Sequence, residues 1–276
     1  MRQDLRLRER LRALYPKTSG RRLKQWVDGA RVRVNGVVVS RGDAPVGPAD
    51  RVDLDAAAPA AVPAPLRLVH EDEHLVVVDK PPGLLTIATE AERERTVYRL
   101  LGDWVRARGG PRIFVVHRLD RETSGLLVFA KSGATKRALQ AQFEARSVER
   151  RYLAVVEGRL AAPSGTLRSR LRVDRSLRVR PTRRRTESKE AITTYRVIEQ
   201  RRESALLELA LTTGRRGQIR AQLAALGHPI VGDRAYGATR DPLRRVCLHA
   251  TRLAFTMGPG RRMSFDSPAP VAFARV

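Results

Sequence analysis

Apolar and polar positions recur along this chain with two different periods, and the changes of period mark its elements. Leu5, Leu7, Leu11 and Leu14 follow helical spacing with arginines on the other face, which predicts an opening helix. A turn over 16–20 follows, with Ser19 placed to cap a second helix over 21–28 that stops at Gly29. Val32, Val34, Val37 and Val39 flank Asn35-Gly36, a pair that favours a tight turn with positive φ, so this stretch reads as a hairpin. A short strand over 51–54 closes the unit. The Ala/Pro run over 56–65 suits neither helix nor sheet and reads as a semi-stiff linker. It leaves an arm at 1–55 and a body at 66–276.

In the body, strands are expected at 66–70 and 75–79 around an acidic turn, followed by a rigid Lys80-Pro81-Pro82-Gly83-Leu84 loop. Helical patterning covers 97–108 and 136–145. Leu126, Leu127, Val128 and Phe129 have the length and composition of a buried strand. Further strands are expected at 152–156, 191–198, 206–211 and 253–255. Strands outnumber helices and alternate with them irregularly, which favours an α+β fold with a mainly antiparallel sheet.

Charge changes the picture next. The chain has 54 Lys and Arg against 29 Asp and Glu, a formal net charge of +25, which predicts attraction to a polyanion. Arginine dominates; its planar fork suits phosphate and stacks on bases, although a GC-rich coding sequence also enriches it. No apolar stretch approaches the roughly 20 residues that span a bilayer, and the opening residues lack a signal-peptide core. A soluble cytoplasmic protein with no membrane partner is expected. Cys247 is the single cysteine, and the five histidines form no His-x-x-x-His pair, so neither a disulfide nor a structural metal is expected.

The most informative chemistry lies at His117-Arg118-Leu119-Asp120-Arg121-Glu122-Thr123-Ser124-Gly125-Leu126-Leu127. Asp120 sits between arginines on a short loop just ahead of the buried strand, where a reacting carboxylate is held rigid. Taken alone, Arg-Leu-Asp-Arg would be a surface ion pair of little consequence. The longer string resembles the active-site signature of the RluA-type RNA pseudouridine synthases. That resemblance implies isomerisation of uridine to pseudouridine in RNA, with Asp120 as the catalytic carboxylate and no cofactor. Breaking the glycosidic bond, turning the base and rejoining it through carbon 5 needs an ionised carboxylate, either as nucleophile at the sugar or to remove a proton there. It also needs a cationic partner for that carboxylate and a surface to hold the base.

Two further blocks supply candidates. Glu149-Arg150-Arg151-Tyr152-Leu153-Ala154 is similar to the family block whose tyrosine stacks on the target base, a role that falls on Tyr152. Leu211-Thr212-Thr213-Gly214-Arg215-Arg216-Gly217-Gln218-Ile219-Arg220, continuing to Gly227-His228-Pro229-Ile230-Val231-Gly232-Asp233, resembles the third block. By that match Arg220 pairs with the catalytic aspartate and Arg215 contacts RNA phosphate. Gly217 and Gln222 stand where the family usually has histidines, which bears on substrate choice or local packing rather than on the reacting group. Arg118 has two readings: it fills the stack vacated when the uridine is rotated out, or it salt-bridges Asp120.

Arg183, Arg184 and Arg185 crown the most cationic stretch, 168–189, which reads as a solvated face or mobile loop and, in an RNA-binding body, as a phosphate contact. The arm resembles the small RNA-binding module of a small-subunit ribosomal protein (S4-like), with Arg21, Arg22 and Lys24 on its RNA-facing helix. The implied fold is a pseudouridine-synthase core with a long bent antiparallel sheet, preceded by a small α+β RNA-binding domain. The implied partner is RNA, with large-subunit ribosomal RNA favoured by analogy and tRNA the alternative, and the basic surface favours a monomer. A non-catalytic RNA-binding assembly factor on the same scaffold is the competing reading. A DNA-binding regulator is a third, without a helix-turn-helix pattern to support it.

Overall fold

The computed structural model describes residues 5–29, 31–39, 41–55, 62–174, 178–258 and 260–276. The chain divides into two compact units. The first comprises the described residues within Met1–Ala64 together with Ile87–Phe114. It starts with a two-residue strand, β1 (Leu5–Arg6), before helix α1 (Leu7–Leu14), so the opening helix begins later than its leucine spacing suggests. The reason is pairing: Leu5 lies opposite Val46 in strand β4, given below. Helix α2 (Gly20–Asp28) is capped by Ser19, whose Oγ accepts from the Arg22 amide at 3.3 Å.

Strands β2 (Val32–Val34) and β3 (Val37–Val38) meet through Asn35 at φ 50° and Gly36 at φ 80°, the positive-φ turn that Asn-Gly favours. Strands β4 (Pro45–Val46) and β5 (Val52–Leu54) complete this part, β5 pairing with β2. Leu7, Leu11, Leu23, Trp26, Val27, Val32 and Val46 form its core. Helix α3 (Val97–Ala107), capped by Thr96, belongs to this same unit although it follows the Lys80 loop in sequence. Gly29, at the end of α2, is needed there because a Cβ would run into the Ala107 side chain and the Gln25 carbonyl. Residues 56–61 of the expected linker lie outside the described residues.

The second unit comprises Pro65–Thr86 and Val115–Val276. Its strands are β6 (Arg67–Glu71), β7 (Leu75–Lys80), β9 (Ser124–Ala130), β10 (Glu149–Glu157), β11 (Ser164–Val173), β12 (Val179–Thr182), β13 (Lys189–Gln200), β14 (Ser204–Leu211), β15 (Leu248–Met257) and β16 (Arg261–Asp266). The two-residue strand β8 (Phe114–Val115) lies where the chain passes from the Ile87–Phe114 segment into this unit. The sheet runs β12-β11-β13-β14-β10-β15-β9-β7-β6, with β16 added on β15. Along that path every pairing is antiparallel except β15 with β9. Register shifts at Leu68/His70, Arg151/Tyr152 and Val197/Glu199 are the irregularities that bend such a sheet.

Every residue of β9 is buried, the apolar run 126–130 together with Ser124, which is satisfied by His249. The cationic stretch 168–189 is not all loop: β11 runs into it and β12 lies within it. Their pairing buries Leu171 and Val179 against Ala191 and Ala221. Helices α4 (Gly133–Glu144) and α5 (Gln218–Ala225) pack on this sheet, α4 beside β9 and β15 and α5 beside β11 and β12.

Candidate active site

Asp120 lies on the loop entering β9, and the backbone on either side of it is clamped. Lys80, at the end of β7, is wholly buried, and its Nζ donates to the carbonyls of Pro81 at 2.9 Å, Leu84 at 2.7 Å and Arg121 at 3.0 Å. Gly83 N–H donates to the same Arg121 carbonyl at 2.8 Å. On the other side of Asp120, Thr86 Oγ1 donates to the Leu119 carbonyl at 2.9 Å and accepts from the Leu119 amide at 3.2 Å. Burial pushes the Lys80 ammonium down to about 7, against the pull of Glu122 and Asp120. Gly125, at the start of β9, has φ 114°, and a Cβ there would strike the Ala250 backbone of the parallel neighbour β15.

Arg220 reaches the carboxylate from α5. Its Nη1 lies 3.9 Å from Asp120 Oδ2, an ion-pair distance but not a hydrogen bond. Its closer partner is Asp233, which is 1% exposed and takes Nε at 2.6 Å and Nη2 at 2.7 Å in a two-pronged bond. The expected Arg220–Asp120 pair is present as this long ion pair, and Asp233 adds what the sequence did not show: it fixes the guanidinium so that Nη1 faces Asp120. Burial opposes the charge on Arg220, but the Asp233 bonds and the nearby Asp120 hold its pKa above the ordinary value. Tyr236 lies with its ring 4.9 Å from the same guanidinium.

The segment carrying Arg220 is built on side-chain amides. Gln218, 2% exposed, accepts from Thr213 Oγ1 at 2.8 Å and the Arg215 amide at 3.0 Å, and donates to Ile192 O at 3.1 Å and Thr193 Oγ1 at 2.9 Å. Gln222 is buried away from the cleft, bonding Leu167 O, Ser169 Oγ, Ala191 O and Thr193 Oγ1, so its substitution bears on packing between α5 and the sheet. Gly217 lines the cleft at φ 58° as the N-cap of α5, and a Cβ there would lie 2.8 Å from Tyr236 Oη.

These elements enclose a cleft of about 290 Å³ that brings together Asp120, Arg118, Tyr152, Arg215 and Arg220. Tyr152, on β10, is buried; burial pushes its phenol up to about 12, so it stays protonated across physiological pH. His117 is held neutral, pushed down to about 3 by burial and by the charge of Arg150; its ring stacks on Phe143 at 4.8 Å. Arg183, Arg184 and Arg185 are exposed on the loop between β12 and β13 and do not line the cleft. Arg21, Arg22 and Lys24 are exposed on α2 of the first unit, Lys24 paired with Asp28 at 2.6 Å. Among the described residues no cluster of three His, Cys, Asp or Glu side chains is arranged to hold a metal, and no helix is long and apolar enough to cross a membrane. Lys80, Asp233 and Tyr236 escaped the sequence reading, although Gly232-Asp233 closes its third motif block.

A carboxylate facing an anchored guanidinium beside a protonated phenol, in a cleft on a long, mainly antiparallel sheet, is the arrangement of an α+β enzyme. The family model described as RNA pseudouridylate synthase matches residues 74–225. The ribosomal large subunit pseudouridine synthase D of Xylella fastidiosa is 38% identical over 295 aligned positions, spanning 95% of this chain and 84% of its own. The uncharacterized RNA pseudouridine synthase YhcT of Bacillus subtilis is 34% identical over 247 positions, spanning 84% of this chain and 78% of its own. Human RNA pseudouridylate synthase domain containing 4 shares the fold at a TM-score of 0.62 and 24% identity, covering 75% of this chain and 90% of that one. The chain belongs to the RNA pseudouridylate synthase family.

Proposed function

We propose that this chain converts specific uridines of large-subunit ribosomal RNA to pseudouridine, with Asp120 as the reacting carboxylate. The observation that carries this reading is the Asp120 carboxylate on a doubly clamped loop, facing an Arg220 guanidinium that Asp233 holds in place. Arg220 orients Asp120 across the 3.9 Å gap, and Tyr152 offers its ring to the uracil face while its protonated phenol avoids a second negative charge beside Asp120. Arg118 fills the stack that the rotated uridine leaves, and Arg215 meets phosphate. Relatives named ribosomal large subunit pseudouridine synthase D support the choice of ribosomal RNA. Residues 1–55 act as an S4-like RNA-binding domain through Arg21, Arg22 and Lys24, joined through 56–65 to a catalytic domain at 66–276. The arginines at 183–185 add phosphate contacts from outside the cleft. The chain works as a monomer in the cytoplasm, its net charge of +25 favouring RNA over self-association.

The test is a chemical map of pseudouridines in total RNA from cells with the gene, without it, and with it restored as Asp120→Asn. Large-subunit sites lost on deletion and not restored by the variant support the proposal. Lost sites confined to tRNA would move the substrate, and full restoration by Asp120→Asn would overturn the role of the carboxylate.

A further inference from the structure

Arg150 and Arg151 are neighbours on β10, and their surroundings differ in kind. Successive residues of a strand face opposite sides of the sheet, so Arg150 shares its face with Tyr152 while Arg151 points away. Arg151 is exposed and satisfied, with Glu149 at 2.8 Å and Glu208 at 3.2 Å. Arg150 is only 8% exposed and lines the cleft, and among the described residues no carboxylate lies within ion-pair reach of it. Its Nη2 donates to the carbonyls of Leu211 and Thr212, both at the long distance of 3.3 Å. Its Nε is buried without any partner. The Phe143 ring, 5.4 Å from the guanidinium carbon, offers a weak cation–π contact.

A buried charge without a counter-ion is costly, and carbonyl dipoles and an aromatic face offset that cost only in part. Burial accordingly pulls the Arg150 pKa below its ordinary value. The cleft is shaped around this head group. Gly214, also on the cleft wall, is the position where a Cβ would collide with Arg150 Nη1. The cleft lining holds one carboxylate, Asp120, against Arg118, Arg150, Arg215, Arg216 and Arg220, so its charge is positive on balance.

We propose that Arg150 is a substrate-binding residue that receives a phosphodiester flanking the target uridine, so that the RNA itself supplies the missing counter-ion as the base seats beside Tyr152 and Asp120. An arginine fork matches two phosphate oxygens at once, and a contact made in a dehydrated cleft is far stronger than the same contact on an open surface. It therefore fixes the sugar relative to Asp120, a task distinct from the general attraction exerted by exposed arginines.

The inference rests on the pseudouridine synthase reading, and its test separates the two. The probe is a short RNA containing a uridine that the wild-type enzyme modifies, made natively and with an uncharged methylphosphonate in place of each flanking phosphate in turn. Arg150→Met is compared with wild type and with Arg151→Met, which deletes the same charge from the opposite face. On native RNA, Arg150→Met is expected to lower kcat/KM by about 30-fold, the scale of one charged hydrogen-bonded contact, and Arg151→Met by less than about threefold. On one of the two methylphosphonate RNAs the Arg150→Met penalty should shrink to within about threefold, because the partner charge is gone. The same comparison is run with Arg150→Lys, which keeps a cation and covers the case in which the methionine variant unfolds. Its smaller penalty should vanish on the same modified RNA. A penalty that stays undiminished on both modified RNAs overturns the proposal and leaves Arg150 as a tie for the Leu211–Thr212 carbonyls. Loss of wild-type turnover on every uridine-containing RNA would instead count against the synthase reading.

Discussion

The two segments that bring charge into the cleft are secured by opposite means. The loop around Asp120 is fixed by a buried ammonium, Lys80, together with backbone bonds and the Thr86 hydroxyl. The segment from Thr213 to Gln222 is fixed by neutral side chains, two glutamines and two threonines that satisfy one another and the neighbouring strands. A charged clamp answers to pH, whereas an amide network does not. The lesson is that the loop of the reacting carboxylate is positioned by a titratable group, while the segment that carries Arg220 is positioned by permanent ones and only the guanidinium itself leans on a carboxylate, Asp233.

The sharpest contrast is chemical. Asp120→Asn keeps the shape of the loop but removes the charge that Arg220 faces. Turnover is expected to fall by at least about a thousandfold while RNA affinity stays within about tenfold, since one charge is lost among many contacts. Single-turnover assays and filter binding on the same RNA measure both quantities, and near-normal turnover would remove Asp120 from its role.

Next in size is the clamp itself. Lys80→Met leaves the Pro81 and Leu84 carbonyls without this donor and the Arg121 carbonyl with the Gly83 N–H alone, at a cost on the order of 2 kcal/mol in folding stability. The sign of its pH dependence follows from linkage. In the fold the Lys80 proton is lost around 7, whereas the ordinary value is 10.5. Between those limits the unfolded chain binds a proton that the folded chain does not, so stability contributed by Lys80 rises with pH across that window. Below about 7 both states are protonated and the burial penalty is fully present. Urea unfolding should therefore show a larger gap between wild type and Lys80→Met at pH 9.5 than at pH 6.5. An equal gap at both would mean that burial does not perturb this ammonium.

On the other side of the cleft, Asp233→Asn keeps size and shape but weakens the two-pronged hold on Arg220. About a 30-fold loss in kcat with little change in KM is expected, because the group acts through another side chain and not on bound RNA. A change confined to KM would place Asp233 in binding instead.

The contrast also sorts what was legible in the sequence. Local signals told: Ser19 caps α2, Asn35-Gly36 turns the hairpin, and the apolar run at 126–129 lies inside the fully buried β9. Strands β11 and β12 were missed although Arg168, Arg170 and Arg172, and again Arg178 and Arg180, alternate with a period of two, because the interleaved positions include Ser169 and Pro181 and the stretch reads first as charge. Helix α3 was legible as a helix, but its membership in the first unit depends on packing between segments distant in sequence. Motif blocks carried Asp120, Tyr152 and Arg220 into one cleft. The groups that hold them were not legible, because they act across the chain. Lys80 bonds a carbonyl 41 residues away, and Asp233 takes an arginine 13 residues before it. No local spacing rule announces such a pair.

The smallest expected effect lies outside the cleft. Arg183, Arg184 and Arg185 are exposed, and nothing in their loop makes them specific for a base. If they touch phosphate, replacing all three by alanine should weaken RNA binding by up to about tenfold near 0.15 M salt. It should also flatten the slope of log affinity against log salt by roughly 2, as expected for three fewer contacts with single-stranded RNA. Arg150 provides the internal comparison. It is one buried cation, so its loss should change that slope by less than 1 while costing more in kcat/KM than the three exposed ones together. Titrations across a salt series, run with both variants on one RNA, therefore separate a charge that attracts the polymer from a charge that seats the nucleotide. An unchanged slope for the triple variant would assign 183–185 to the solvated face alone.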